Sequence, residues 1–485
     1  MAKKTASYRN VNENPCNMCM PMGGILPLKG VEQAMVIIHG SQGCSTYMRR
    51  HIAEHFNEPI DVASSSMNEK GTVYGGENNL KKGLDNLIKL YNPKLIGVLT
   101  TCLAETIGED IDRITTDYLL ERGLDLPIVT VPTPGYGGTH TEGYFLAVKK
   151  IVEKLARPTE RHAKINILVP NISPADIREI KRILALMGAE YTLCPDFSDT
   201  LDRPYAKPYK KVPDGGTRIE DIAAMPGAPA TVEIGVAIDD RSSAGKYLAD
   251  KFGVSLYQVP IPTGIENTDI FVNTLQKITG RDIPASLVME RGRLLDCMID
   301  SHKYNFQGRS VIFGEPDQVY ANTCTCMENG IYPVVVATGS NNEKLAALFD
   351  ELFEQCPHEV KYLNQTDFAH IRAESARLKA NVAIGHSDGR YLTEREGIPL
   401  IRAGFPIHDR VGGQRLLSVG YTGTTMFLDR ITNTLLENKY RHYRSTMYEK
   451  FYQGSDDSND SNDNVAGLRE GRGEENELFC PPKQQ

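Results

Sequence analysis

Short apolar runs alternate with amphipathic stretches along almost the whole chain, and that alternation admits few folds. Met35–Ile38 runs into Gly40-Ser41-Gln42-Gly43-Cys44, and the stretch after it puts Met48, Ile52 and Phe56 on one helical face. Leu95–Leu99 leads into Thr100-Thr101-Cys102. Ile128–Val131 leads into a glycine-rich loop, Thr133–Thr139, ahead of a helix from about His140 to Leu155. Strands separated by helix-length segments pair in parallel, the pattern of βαβ units. The expectation is an α/β fold of three Rossmann-like parallel-sheet domains with helices on both faces.

A second unit opens at Ile165–Val169, followed by a helix with Ser173 as N-cap, Pro174 at its first position and Asp176 in the capping-box place. Val232–Val236, Ser255–Val259 and the helical run Asp269–Ile278 continue it. A third unit opens at Gly308–Phe313, with strands at Tyr332–Ala337, Val360–Leu363 and Asn381–Ile384. Polar, basic stretches at Arg157–Lys164 and Ser301–Arg309 put the boundaries near 160 and 305, giving domains 1–160, 161–305 and 306–453. From Gly454 the composition turns acidic and repetitive, and 454–485 is expected to be a disordered or partner-docking tail.

A chain of 485 residues has room for two to four domains at roughly 100–200 residues each. Its net charge of −8 argues against nucleic acid. Its apolar runs fall far short of the roughly 20 residues that span a membrane. No apolar stretch follows the charged N-terminus, so the expectation is a cytoplasmic protein.

Ten cysteines are too dilute for a disulfide scaffold. Cys44 and Cys102 directly follow predicted strands, where ligands bind in open parallel sheets, and both sit just before helix N-termini, where a thiolate is favoured. Cys19 lies in a turn-rich segment, with Gly23 and Gly24 shortly after it; these glycines are expected to let backbone N–H groups approach an anionic ligand. Three soft thiolates suit an iron–sulfur cluster or zinc, with a missing ligand supplied by another chain. Buried structural cysteines are the plainer alternative.

The segment Asn14-Pro15 through Cys19, Pro21 and Gly23, with His39-Gly40-Ser41-Gln42-Gly43-Cys44, resembles the β (K-type) subunit family of nitrogenase component 1. So do Phe56-Asn57-Glu58-Pro59, Ser64-Ser65-Ser66, Val73–Gly76, Asn78-Asn79 and Thr100–Glu105. Pro174–Arg182, Arg291–Asp296, Gly404–Ile407 with Asp409-Arg410, and Gly420-Tyr421 extend the likeness over about residues 10–445.

The resemblance implies that Cys19, Cys44 and Cys102 are the β-side ligands of a P-cluster, an eight-iron iron–sulfur relay (or a 4Fe–4S one) shared with an α (D-type) subunit in an α2β2 heterotetramer. It further implies that electrons arrive from an ATP-dependent iron protein and pass to a metallocofactor in α. In keeping with this, the chain has neither a G-x-x-x-x-G-K-[ST] phosphate loop nor a G-x-G-x-x-G fingerprint. Three departures stand out. Gly135 occupies the place of a serine that can bind the oxidised cluster, Thr139-His140 replaces a Ser-His pair, and Cys16 is an extra thiol. They favour a nitrogenase-like reductase such as methylthio-alkane reductase, which cleaves C–S bonds, over a dinitrogen-reducing enzyme. A cofactor-assembly scaffold is the further alternative, although its N-type subunit generally lacks the second and third cysteines.

Other residues carry blander expectations. His39 is read as shaping its loop by a hydrogen bond, Cys16 as packed, and Tyr47 as core. Cys324 and Cys326 sit two apart on a helix and so face different ways. Glu58 matches an inter-β metal position of the family, but Asn57 replaces the basic residue before it, and that site is left unassigned.

Overall fold

The computed structural model describes residues 15–354, 356–441 and 443–452. Asn14 and the acidic tail, with Leu478, Phe479 and Cys480, lie outside the described residues. The chain divides into two compact units, up to Leu436 and from Glu437; within the second, Tyr443–Tyr452 forms a helix.

Three parallel sheets build the first unit. In the first, the order across the sheet is Ala63–Ser64, Ala34–His39, Leu95–Thr100, Ile128–Val131. The second runs Tyr191–Cys194, Ile165–Leu168, Ala230–Ile234, Ser255–Val259. The third, five-stranded, runs Lys361–Leu363, Tyr332–Thr338, Arg309–Gly314, Val382–Gly385, Leu400–Arg402. The α/β class and the parallel pairing agree with the sequence pattern. Ala34–His39 and Leu95–Thr100 are buried along their whole length, because helices cover both faces. Met48, Ile52 and Phe56 are all buried on the helix Gln42–Phe56, and the helix after the glycine-rich loop spans His140–Leu155. Ser173 caps Pro174–Leu186 by accepting from the Asp176 amide, while the Asp176 carboxylate accepts from the Ser418 and Val419 amides. Among the described residues no helix is long and apolar enough to cross a membrane.

Several elements escape the sequence pattern, among them the strands Tyr191–Cys194 and Leu400–Arg402 and the helix Ala285–Asn305. The stretch read as a linker, Ser301–Arg309, begins inside that helix. One more element escapes the pattern because of its burial. Met20–Lys29 is a helix with all ten residues buried. A helix enclosed on every side has no polar face and hence no readable period. The role expected for its glycines is corrected accordingly. A Cβ on Gly23 would lie 1.7 Å from the His140 carbonyl oxygen, and one on Gly143 2.1 Å from that of Met20. Gly24 packs on Leu99 of the strand Leu95–Thr100, so these glycines serve close packing of the helix on a second helix and on the sheet instead of presenting N–H groups to an anion.

Candidate metal-cluster site

The three thiols come together at the carboxyl edge of the first sheet. Cys19 is the N-cap of Met20–Lys29, Cys44 lies in the first turn of Gln42–Phe56, and Cys102 opens the short helix Cys102–Thr106. Cys19 and Cys44 are half-buried and Cys102 is exposed. The strand pairing explains the placement of two of them: His39 lies beside Thr100 in register, so the loops carrying Cys44 and Cys102 leave the sheet side by side. A Cβ on Gly40 would lie 2.1 Å from Thr101 Oγ1, which is how closely those loops cross. Cys19 arrives from a third direction, through an antiparallel bridge to Thr139.

Gly135 forms the wall between two of the sulfurs. Its amide donates to Cys102 Sγ at 3.1 Å, and a Cβ there would stand 2.9 Å from Cys19 Sγ and 3.3 Å from Cys102 Sγ. Its loop is pinned to the sheet edge by Thr133, whose amide donates to Thr100 Oγ1 and whose hydroxyl donates to the Thr100 carbonyl, both at 2.8 Å. Ser41 Oγ donates to Cys44 Sγ at 3.6 Å. Burial, then the neighbouring Cys102 and Cys44 thiols, push the Cys19 thiol up to about 11. The thiols are near enough to affect one another, yet no set of three His, Cys, Asp or Glu among the described residues is gathered tightly enough to hold a single metal ion. Cys19 also borders open space. A cleft of about 1300 Å³ continues from it, lined by Cys19, Tyr47, Gly135 and Tyr136, and reaching Asp239 and Lys344.

A raised Cys19 thiol stays protonated through neutral pH, and the thiolate is the reactive form. In cluster-free protein, iodoacetamide labelling of Cys19 is therefore expected to keep rising toward pH 11. Peptide mass spectrometry would measure it, and a plateau near the ordinary thiol value of about 8.5 would contradict the assignment.

His39 is fully buried, with Nδ1 3.0 Å from Ser65 Oγ and Nε2 3.5 Å from Glu109 Oε2, and Ser65 Oγ also accepts from the Gly40 amide. It shapes the loop before Cys44, and burial lowers its basicity. Cys16 is packed in the third sheet's core with Sγ 3.7 Å from His386 Nε2, and burial pushes its thiol far up. Tyr47, expected in the core, is 43% exposed and stands on the cleft wall. Helix geometry keeps it at the surface, three residues past Cys44 and off the Met48–Ile52–Phe56 face. Arg49 and Arg50 line an outer groove of about 800 Å³, where Arg50 pairs with Glu54 at 2.8 Å. Cys326 is buried in the core and Cys324 only half-buried. Glu58 pairs with Arg203 at 3.1 Å.

Sequence reasoning notes His140 only as part of a replaced Ser-His pair and misses Asn171 and Glu315, which meet it below the site. The single signal available is that each follows a strand of a different sheet.

Three parallel sheets with three neighbouring thiols at one carboxyl edge define a three-sheet α/β protein. The chain belongs to the nitrogenase component 1 type oxidoreductase family, whose model matches residues 19–436, and within it to the β chains. It is therefore an oxidoreductase subunit. The nitrogenase molybdenum-iron protein beta chain of Methanococcus maripaludis is 36% identical over 446 residues, covering 88% of this chain and 95% of the relative. That of Clostridium pasteurianum is 34% identical over 454 residues, covering 92% and 98%. The vanadium-iron protein beta chain of Trichormus variabilis is 33% identical over 447 residues, covering 89% and 96%. The solved structure of nitrogenase Cp1 at pH 6.5 matches with a TM-score of 0.86 at 33% identity, covering 91% of this chain and 96% of that one.

Proposed function

We propose that this chain is the β subunit of a nitrogenase-like component 1 reductase, with Cys19, Cys44 and Cys102 as its ligands to an iron–sulfur cluster shared with an α subunit. The family's β chains carry such a P-cluster. The observation that carries the assignment is the Gly135 wall: two of the three soft donors flank a residue with no side chain, and one of them, Cys102, is exposed. Three neighbouring thiols suit an extended cluster completed from a second chain, more than a mononuclear ion. When bound, the cluster accepts and donates single electrons. The chain's own part is to hold three thiolates, to donate the Gly135 N–H to one sulfur, which tunes potential, and to leave Cys102 exposed for α.

The same proposal includes an α2β2 assembly, an ATP-dependent iron protein as electron donor, and the cytoplasm as compartment. All nine described cysteines are free thiols, as a reducing compartment keeps them. The three-way division at 160, 305 and 453 also belongs to it, one sheet falling in each part.

Gly135 in place of a serine supports a C–S-cleaving, methylthio-alkane-reducing enzyme. A dinitrogen-reducing β chain is the second reading, favoured by relatives named as nitrogenase beta chains at 33–36% identity. The cysteine triad stands against an assembly scaffold. Anaerobically purified complex, supplied with its iron protein and ATP, is expected to release a hydrocarbon together with a thiol from a methylthio-alkane, two electrons and two protons being consumed, and to form little ammonia from dinitrogen. The reverse result establishes the second reading. Iron analysis and EPR on the same sample test the cluster itself, since an iron-free heterotetramer overturns the ligand assignment.

A further inference from the structure

One carboxylate joins all three sheets directly beneath the Cys19 segment. Glu315 follows the strand Arg309–Gly314 of the third sheet, and its side chain is nearly buried. Its Oε1 accepts from Asn171 Nδ2 at 2.7 Å and lies 2.7 Å from His140 Nε2. Asn171 follows Ile165–Leu168 of the second sheet, and His140 opens the helix after the first sheet's last strand. The other imidazole nitrogen, Nδ1, accepts the backbone N–H of Met18 at 3.1 Å, and the His140 amide donates to the Met18 carbonyl at 3.0 Å. Because Nδ1 accepts, the ring proton sits on Nε2, which touches the carboxylate at close range but outside hydrogen-bond geometry. The peptide immediately before Cys19 is thus held by a histidine whose ring lies against a glutamate of the third sheet.

The rest of that segment is tied to the third sheet as well. The Cys16 amide donates to the Thr366 carbonyl, and Asn17 Nδ2 donates to the Gly339 carbonyl at 3.0 Å. Cys44 and Cys102 are placed by the first sheet alone, whereas the position of Cys19 relative to them depends on how the third sheet is held against the first.

We propose that His140 and Glu315 are positioning residues for the cluster: the Glu315–His140 pair fixes the Met18–Cys19 peptide, and through it the placement of the Cys19 sulfur against those of Cys44 and Cys102. The proposal rests on the reading of Cys19 as a ligand. Outer partners that orient metal ligands affect metal affinity and cluster potential, and their loss typically costs about 10–100-fold in affinity.

The test uses the purified heterotetramer and reads iron content, the EPR signature and the cluster's midpoint potential. Glu315→Ala removes the acceptor of Asn171 Nδ2 and the carboxylate against His140 Nε2; a shifted potential and altered EPR signature are expected, with iron retained or partly lost. Glu315→Gln keeps an oxygen for Asn171 and the packing against His140, and is expected to restore the wild-type potential and signature. Asp176→Ala is the control, because Asp176 ties a second-sheet helix to Ser418 and Val419 without touching the Cys19 segment. It is expected to lower the melting temperature and leave the potential unchanged. Wild-type potential in Glu315→Ala, or equal shifts in Glu315→Ala and Asp176→Ala, overturns the positioning role alone. An iron-free wild-type complex overturns the ligand reading, and this proposal with it.

Discussion

Cys102→Ala is expected to cost the complex most of its cluster iron while the chain stays folded. Cys102 is exposed at the head of a short helix, and its sulfur accepts from the Gly135 amide. Surface substitutions of this kind usually change stability by no more than about 0.5 kcal/mol. A bridging or terminal thiolate of a cluster has no substitute in a methyl group, so the loss falls on the metal and not on the fold. Circular dichroism melting and iron analysis of the same preparation separate the two effects. Wild-type iron in this variant would remove Cys102 from the ligand set.

Gly23→Ala should be the most damaging single-methyl change to the fold. In a helix interior, alanine normally gains about 1 kcal/mol over glycine. Here that gain is overridden, because the added Cβ would fall 1.7 Å from a backbone oxygen, the His140 carbonyl, with no flexible side chain able to move aside. The helices Met20–Lys29 and His140–Leu155 would have to separate, and Gly143 against Met20 shows that they touch backbone to backbone at a second point. Overpacking costs about 1–3 kcal/mol and occasionally more; backbone meeting backbone puts this case at the upper end or beyond. Cys19 caps the same helix and His140 opens the other, so weaker cluster retention should accompany the lower denaturation midpoint. A midpoint equal to or above wild type would falsify the packing account.

Part of the candidate site is legible in the amino-acid order. Cys44 and Cys102 each follow a strand, and parallel strands deliver their following loops to a common edge, so their convergence follows from local pattern. Cys19 is a different matter. It joins them through a bridge to Thr139, a pairing across more than a hundred residues that leaves no local periodicity. The family resemblance supplies what the pattern lacks. Tyr47 shows the same limit from the other side, since its aromatic character suggests core while its helical position puts it on the cleft wall.

The sequence by itself determined the α/β class, the parallel strands and the helices between them, because continuous apolar runs and a period of 3.6 residues are written into neighbouring side chains. It also determined which thiols stand at strand ends. Tertiary structure alone decided that Met20–Lys29 is a helix, since complete burial erases the amphipathic signal. It alone decided that Gly23 and Gly143 serve packing and that Glu315, His140 and Asn171 meet beneath Cys19. Those contacts join three sheets, and a contact between sheets depends on how the whole chain is folded together, which no local window of residues records.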